Sequence, residues 1–391
     1  MSQDVLREVI EILAKLDRTP GSTGEREAAE WLVERFRAAG CTEVALEEEP
    51  TWGPFPPTIT GLGALGLLGA LQVARGRKRG ALLALAALAG LVDEAQNGPR
   101  ILRRAVRQRG TTPNVVARLG DGAADRNLVV LAHHDAAQTG LIFDQTLFKA
   151  LYRYAPDRLA RQKKQLPQWW IGLAGPILTA IAAATGSRRA SRWSLGVGAL
   201  GLAAIADIKR SPTVPGANDN LSGVAVLVGF AEALREKPID GLKVVLASCG
   251  AEETLQDGIR AFMERHGHEF PRGRTSFLNF DTVGSPHLAM LEGEGPVWME
   301  DYADPGFRDR VERCASSAGI ELERGFQARA STDSVIPSRA GHATATLVSL
   351  MPWRVPGNYH LMTDVPENVE YDTVTDCVRL AIAVAEDLAA D

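Results

Sequence analysis

Cysteine is scarce and scattered. Cys41, Cys249, Cys314 and Cys377 are the four in 391 residues and none forms a CxxC pair, so neither a disulfide framework nor a cysteine-held zinc is indicated, which fits a reducing compartment. A surplus of positive charge is also missing. With 43 basic against 48 acidic residues the net charge is -5; no broad positive field exists for a nucleic-acid backbone, and no nucleic-acid partner is expected. The opening residues MSQDVLREVIEILAKLDR mix acidic, basic and apolar side chains at helical spacing and lack the apolar core of a secretory signal, so the N-terminus is expected to stay where it is made. What is present is an ordinary globular balance, 45% hydrophobic and 23% charged, enough for a sizeable core.

Apolar residues recur at helical spacing over 3–16 and 23–39, the second run starting near Ser22 and stopping at Gly40. Strands are expected at 43–50, 114–119, 127–132, 243–249, 276–281 and 343–348, with helical runs near 221–235, 255–267, 306–318 and 373–389. Strands alternating with helices imply a mostly parallel sheet covered on both faces.

Two regions break this rhythm. Residues 50–74 and 80–92 carry no charge and are separated by a short basic segment; 165–187 and 193–206 repeat the pattern. Each pair reads as an apolar helical hairpin with a basic tip, the first inserted over 51–110 and the second over 141–212, in one domain spanning 1–391. Without them roughly 250 residues remain, a usual size for one α/β domain. The charge-free runs are 25, 13, 23 and 14 residues long, so two reach the roughly 20 residues needed to cross a bilayer. Thirteen basic residues flank the side of the α/β domain and seven the tips, which by the positive-inside tendency orients a membrane-associated chain with its α/β domain in the cytoplasm. The alternative is a soluble cytoplasmic protein whose helices form a buried cap or an oligomer interface. Two GxGxxG patterns, at Gly61, Gly63 and Gly66 and at Gly196, Gly198 and Gly201, follow no strand and are read as close helix packing rather than nucleotide binding.

Chemistry gathers at strand ends: His133 and Asp135 in AHHD, Asp219 in GANDNLSG, Glu252 and Glu253 in GAEE, Asp281 in NFDTVG, and His360 nearer the C-terminus. Carboxyl ends of parallel strands are where ligands bind in an open sheet, so these groups can meet in one crevice. Imidazole and carboxylate are the ligands of hydrolytic zinc centres, and two histidines with three acidic groups, one carboxylate shared, suffice for two metals. One strand-end carboxylate alone is usually a solvated or capping group; their joint occurrence argues otherwise. Adjacent glutamates point in different directions, so one can ligate while the other serves as general base. Asp135, two residues after His133, lies on its side of an extended chain and can orient it, whereas His134 faces the other way.

These motifs, with TPGSTGEREAAEWLVERFRAAG and YHLMTDVPENVEYDTV, resemble the zinc aminopeptidases of metallopeptidase family 28. The resemblance covers about 1–50, 112–140 and 213–391. It implies a three-layer αβα fold of zinc-exopeptidase type with a mostly parallel mixed sheet, two Zn2+ ions per chain, and a peptide substrate cleaved at its N-terminal residue. It further implies that Asp219 bridges the metals, that Glu253 and His360 complete one site and His133 and Asp281 the other, that Glu252 is the general base and Asp135 the partner of His133, and that a cis peptide follows Asp219. No residue matches the oxyanion donor, for which Tyr302 and Tyr359 are candidates, and Asp333 resembles a family position near the site. Two other readings stand beside the aminopeptidase: a glutaminyl cyclase-like acyltransferase with one zinc, and a non-catalytic membrane-associated scaffold on the same fold.

Overall fold

The computed structural model describes residues 3–166 and 169–391; two positions of the 165–187 run, 167 and 168, lie outside the described residues. The strands are β1 (Glu43–Thr51), β2 (Gly110–Gly120), β3 (Asn127–His133), β4 (Lys243–Cys249), β5 (Thr275–Phe280), β6 (His287–Glu294), β7 (Glu300–Asp301), β8 (Glu323–Ala328) and β9 (Ala343–Leu350). The helices are α1 (Gln3–Leu13), α2 (Thr23–Ala38), α3 (Pro56–Ala74), α4 (Gly80–Ala95), α5 (Ile101–Val106), α6 (Thr146–Tyr154), α7 (Pro156–Ala160), α8 (Trp170–Thr185), α9 (Arg188–Arg210), α10 (Ser222–Glu236), α11 (Asp257–His266), α12 (Pro305–Ser317), α13 (Val335–Arg339) and α14 (Tyr371–Ala389).

One mixed sheet runs β1-β2-β4-β3-β5-β9-β6-β7, with β8 beside β6. Its centre, β4-β3-β5-β9, is parallel, while β1, β2 and the β9-β6-β7 edge pair antiparallel. Alternation along each strand sorts the core onto two faces. Leu128, Val130 and Ala132 face one side with α1, α2, α10, α12 and α14. Val129 and Leu131 face the other, with Ile259 and Phe262 of α11. The result is a three-layer αβα fold.

Several boundaries differ from expectation for local reasons. The first helix ends at Leu13 rather than 16, because the buried Arg18 guanidinium donates to the Leu13 carbonyl at 2.7 Å and captures the helix terminus. Strands β6, β7 and β8 were not foreseen: β7 has two residues, and the register of β8 on β6 is irregular.

Helices α3, α4, α8 and α9 pack together as a bundle. Small residues set the close approaches: a Cβ added to Gly69 would lie 2.5 Å from the Gly80 carbonyl, and one on Gly175 would lie 2.7 Å from the Gly198 Cα. Of the GxGxxG glycines, Gly66 meets Pro176 and Ala87, and Gly201 meets the Ile171 carbonyl, while Gly61 and Gly196 face open space. Among the described residues α3, with 19 residues, is the one helix long and apolar enough to cross a membrane; α8 has 16. The bundle's outer surface carries Leu68, Leu82, Leu85, Ile181, Trp193 and Leu200, all more than two-fifths exposed.

Candidate metal centre

Parallel pairing brings the chemistry together. In the register of β3 with β4, His133 lies opposite Cys249, so the chain leaving β4 delivers Glu252 and Glu253 beside His133. In the register of β3 with β5, Leu131 lies opposite Asn279, which puts Asp281 at the same edge. Asp219 enters from the turn Ala217–Leu221 that precedes α10, and its bond to Asn220 is cis. His360 arrives from the loop after β9.

All five expected ligands are buried or nearly so. One ligand atom each from His133, Asp219 and Glu253 lies within 4.8 Å of the others. His360 Nε2 is 3.1 Å from Asp219 Oδ2 and 3.3 Å from Glu253 Oε1, and His133 Nε2 is 3.4 Å from Asp219 Oδ1. Asp219 therefore has one oxygen toward each histidine. Asp281 joins through Thr282, whose Oγ1 is 2.8 Å from Asp281 Oδ1 and 3.3 Å from Asp219 Oδ1. Asp219 Oδ2 is buried beside His360 Nε2, so carboxylate and imidazole lone pairs converge where a cation could take them up.

The electrostatics agree. Burial pushes Glu252 well above the usual carboxylate range, raises Glu253 and lifts Asp281 to about 6. Burial works against charge on His360, yet the Glu253 and Asp219 carboxylates outweigh it and raise its pKa to about 10. The bare cluster thus holds protons that a divalent ion would displace.

The glutamates face different ways. Glu253 turns to His360, and Glu252 accepts a hydrogen bond from Gln256 Nε2. Asp135 does more than orient His133, which it approaches at 3.3 Å: its oxygens accept from the backbone N–H groups of Glu252 and Glu253 at 3.0 and 2.9 Å. His134 points away, its Nδ1 2.9 Å from Ser248 Oγ.

Three supporting residues were missed. Glu25 accepts from Ala251 N and Gly21 N at 2.9 and 2.7 Å, fastening the turn that carries the glutamates. Its signal was Ser22 three residues earlier, the spacing of a capping box. Asp364 accepts from Asn218 N and Asp219 N, and Arg18 donates to the carbonyls of His134 and Pro215. Ala251, Leu255, Gln256, Thr282 and His360 all have positive φ, from 49° to 71°, a left-handed backbone uncommon without glycine that concentrates strain at this cluster.

Of the remaining candidates, Tyr302 is buried, donates to Glu294 at 2.7 Å and accepts from Thr346 at 2.9 Å, so its hydroxyl is engaged in the sheet-edge core. Tyr359 stacks on His360 with centroids 4.0 Å apart and faces the centre. Asp333 is buried with neither oxygen accepting a conventional hydrogen bond, and burial raises its pKa to about 8. Cys249 is buried, and burial lifts its thiol well above the ordinary range, which leaves it no thiolate for nucleophilic work.

Residues 202–385 match the family described as Peptidase family M28. This segment belongs to that family. The M28 segment contains Asp219, Glu252, Glu253, Asp281 and His360, while His133 and Asp135 precede it. A curated relative, the probable lipoprotein aminopeptidase LpqL of Mycobacterium tuberculosis, is 33% identical over 128 residues, 32% of this chain and 26% of that protein. The match thus spans about a quarter of the relative's length. Among solved structures, BSAP, a zinc aminopeptidase from Bacillus subtilis, superposes with a TM-score of 0.57 at 13% identity, covering 99% of this chain and 95% of that one. Bacteroides thetaiotaomicron glutaminyl cyclase, bound to N-acetylhistamine, gives 0.56 at 14% identity over 99% and 98%. At these identities the likeness shows that the M28 segment and the rest of the chain share one fold with them.

Proposed function

We propose that the chain is a dinuclear-zinc aminopeptidase that hydrolyses the N-terminal residue from peptides. The observation that carries this reading is the buried set of His133, Asp219, Glu253 and His360 converging at strand ends, with one Asp219 oxygen toward each histidine and Asp281 tied in through Thr282. Asp219 would bridge two ions, Glu253 and His360 would complete one site, and His133 and Asp281 the other. Zinc bound there supplies a Lewis acid and lowers the pKa of water. Glu252 takes the proton from the attacking water and returns it to the leaving amine, from a buried position next to the ligands. Asp135 holds both glutamates and His133 in one frame.

Metal analysis of the purified chain should find two zinc ions, with chelation abolishing and zinc restoring the release of N-terminal residues from an aminoacyl substrate panel. A single zinc with cyclisation of N-terminal glutamine peptides would favour the cyclase-like reading instead.

We also propose that the bundle associates with a membrane. Its exposed leucines and tryptophan form an apolar outer face, and the basic turns after α3 and before α9 lie at the helix ends away from the residues near the site. The basic flanks support a cytoplasmic catalytic side for a membrane-associated chain. Fractionation without detergent should leave the chain with membranes and detergent should release it; monodisperse, active protein recovered wholly in the soluble fraction overturns this.

A further inference from the structure

Two cavities meet at the glutamates. The smaller, about 50 Å³, is bordered by His133, Asp219 and Asp281 and walled by Leu291, Phe326, Val348 and Leu350 of the sheet. The larger, about 120 Å³, shares Glu252, Glu253 and Tyr359 with it but is walled by residues of the helical bundle and its entry segments: Phe55, Ile59, Leu91, Trp169, Leu173 and Ile205. Ile59, Leu91 and Leu173 are at most 3% exposed, and the Phe55 and Trp169 rings lie 5.8 Å apart. Space on this scale is that of about ten waters at ~10–15 Å³ each, enough for one large side chain. The polar groups lie at the end next to the centre, Glu252, Glu253 and His360, and at Gln256, which donates to Glu252 and to the Ser331 carbonyl, and Arg329, which donates to the Gly295 carbonyl. What the larger cavity offers a ligand is apolar surface.

We propose that the bundle is a specificity wall, and that the larger cavity receives a large apolar side chain of the residue following the scissile bond. The inference rests on the peptidase reading and deepens it. The smaller cavity is bordered by four carboxylates, Asp219, Glu252, Glu253 and Asp281, and the larger by two, Glu252 and Glu253, with His360, so a terminal ammonium finds more negative charge in the smaller. Glu252 borders both cavities, and the proton it carries ends on the nitrogen of the departing residue. With the ammonium drawn to the four-carboxylate side, the departing residue lies on the other side of Glu252, toward the bundle. An apolar side chain there displaces water from the aromatic and aliphatic wall supplied by the bundle.

Gly172 tests this directly. It lines the cavity in the first turn of α8, and an added Cβ would meet nothing nearer than Ile205 Cδ1 at 3.9 Å, so Gly172→Leu fills the space while suiting the helix. With the first residue held as leucine, the full chain should cleave Leu-Phe with kcat/KM at least about tenfold above Leu-Gly, within the range expected of an apolar pocket. Gly172→Leu should lower the Leu-Phe value about tenfold more than the Leu-Gly value. Equal values for the two dipeptides, or equal losses on substitution, overturn the proposal. Calorimetric binding of the same dipeptides to Glu252→Gln separates this proposal from the peptidase reading. Tighter binding of Leu-Phe, abolished by adding Gly172→Leu, upholds the cavity even if the wild type cleaves neither peptide. Turnover without any preference in rate or binding upholds the peptidase and removes the cavity. Absence of both removes both.

Discussion

Glu252→Gln should lower turnover of aminoacyl substrates by about 10²–10⁴-fold, the range of a lost general base, while zinc content stays at the wild-type level. The substitution keeps the shape and the hydrogen-bond contact to Gln256 but removes the proton acceptor. Glu253 and His360, which face each other at 3.3 Å, are untouched. The pH profile gives a second readout. A carboxylate base works only when deprotonated, so the wild type should show an acid limb as pH rises through the Glu252 pKa of the zinc-loaded site. The residual rate of the variant should lose that limb. Full turnover by Glu252→Gln would show that the base lies elsewhere, and loss of zinc would show that Glu252 is a ligand.

Arg103→Met should cost about 3–5 kcal/mol of folding free energy, as expected when one partner of a buried ion pair is removed and the other stays charged. Arg103 and Glu94 are fully buried and paired, and Arg103 also donates to the Thr254 carbonyl, directly after the glutamates. The pair ties the end of α4 through α5 to the turn that carries the catalytic groups. Nearby, Arg100 pairs with Asp257 at the start of α11, in equally complete burial. Denaturant unfolding of the purified chain measures the loss, and the double variant Arg103→Met with Glu94→Met should recover most of it because no uncompensated charge remains. A loss under about 1 kcal/mol for the single variant would mean that the carboxyl of Glu94 finds water, and that the bundle is not fastened to the site through this pair.

The difference between what could and could not be read in advance lies in the range of the interactions. His133, Glu252, Glu253 and Asp281 were legible because each follows a short apolar run of β-branched and aliphatic residues. Such runs form strands by local pattern, and a parallel sheet aligns their carboxyl ends. Asp219 and His360 lie on loops without that pattern; side-chain chemistry marked them as candidates, and their separate roles came from the family resemblance. Glu25, Arg18 and Asp364 escaped because their work is to hold backbone groups distant in sequence, the partners of Glu25 ranging from Gly21 to Ala251. Strands β7 and β8 escaped because they are short edge elements stabilised by pairing with β6 rather than by a pattern of their own.

By itself the sequence determined the αβα class, the central strands, the apolar character of the helices now seen in the bundle, and the identity of the groups able to bind metal, because apolar periodicity and side-chain chemistry are local properties. Only the tertiary structure decided that the four apolar helices form one bundle, that Tyr302 is spent on Glu294 while Tyr359 faces the centre, and that the bundle walls a second cavity beside Glu252. Those outcomes depend on which surfaces meet when separate elements pack together. Glycine contacts such as Gly175 on Gly198, and buried pairs such as Arg103 with Glu94, select among packings that the same apolar pattern would otherwise allow.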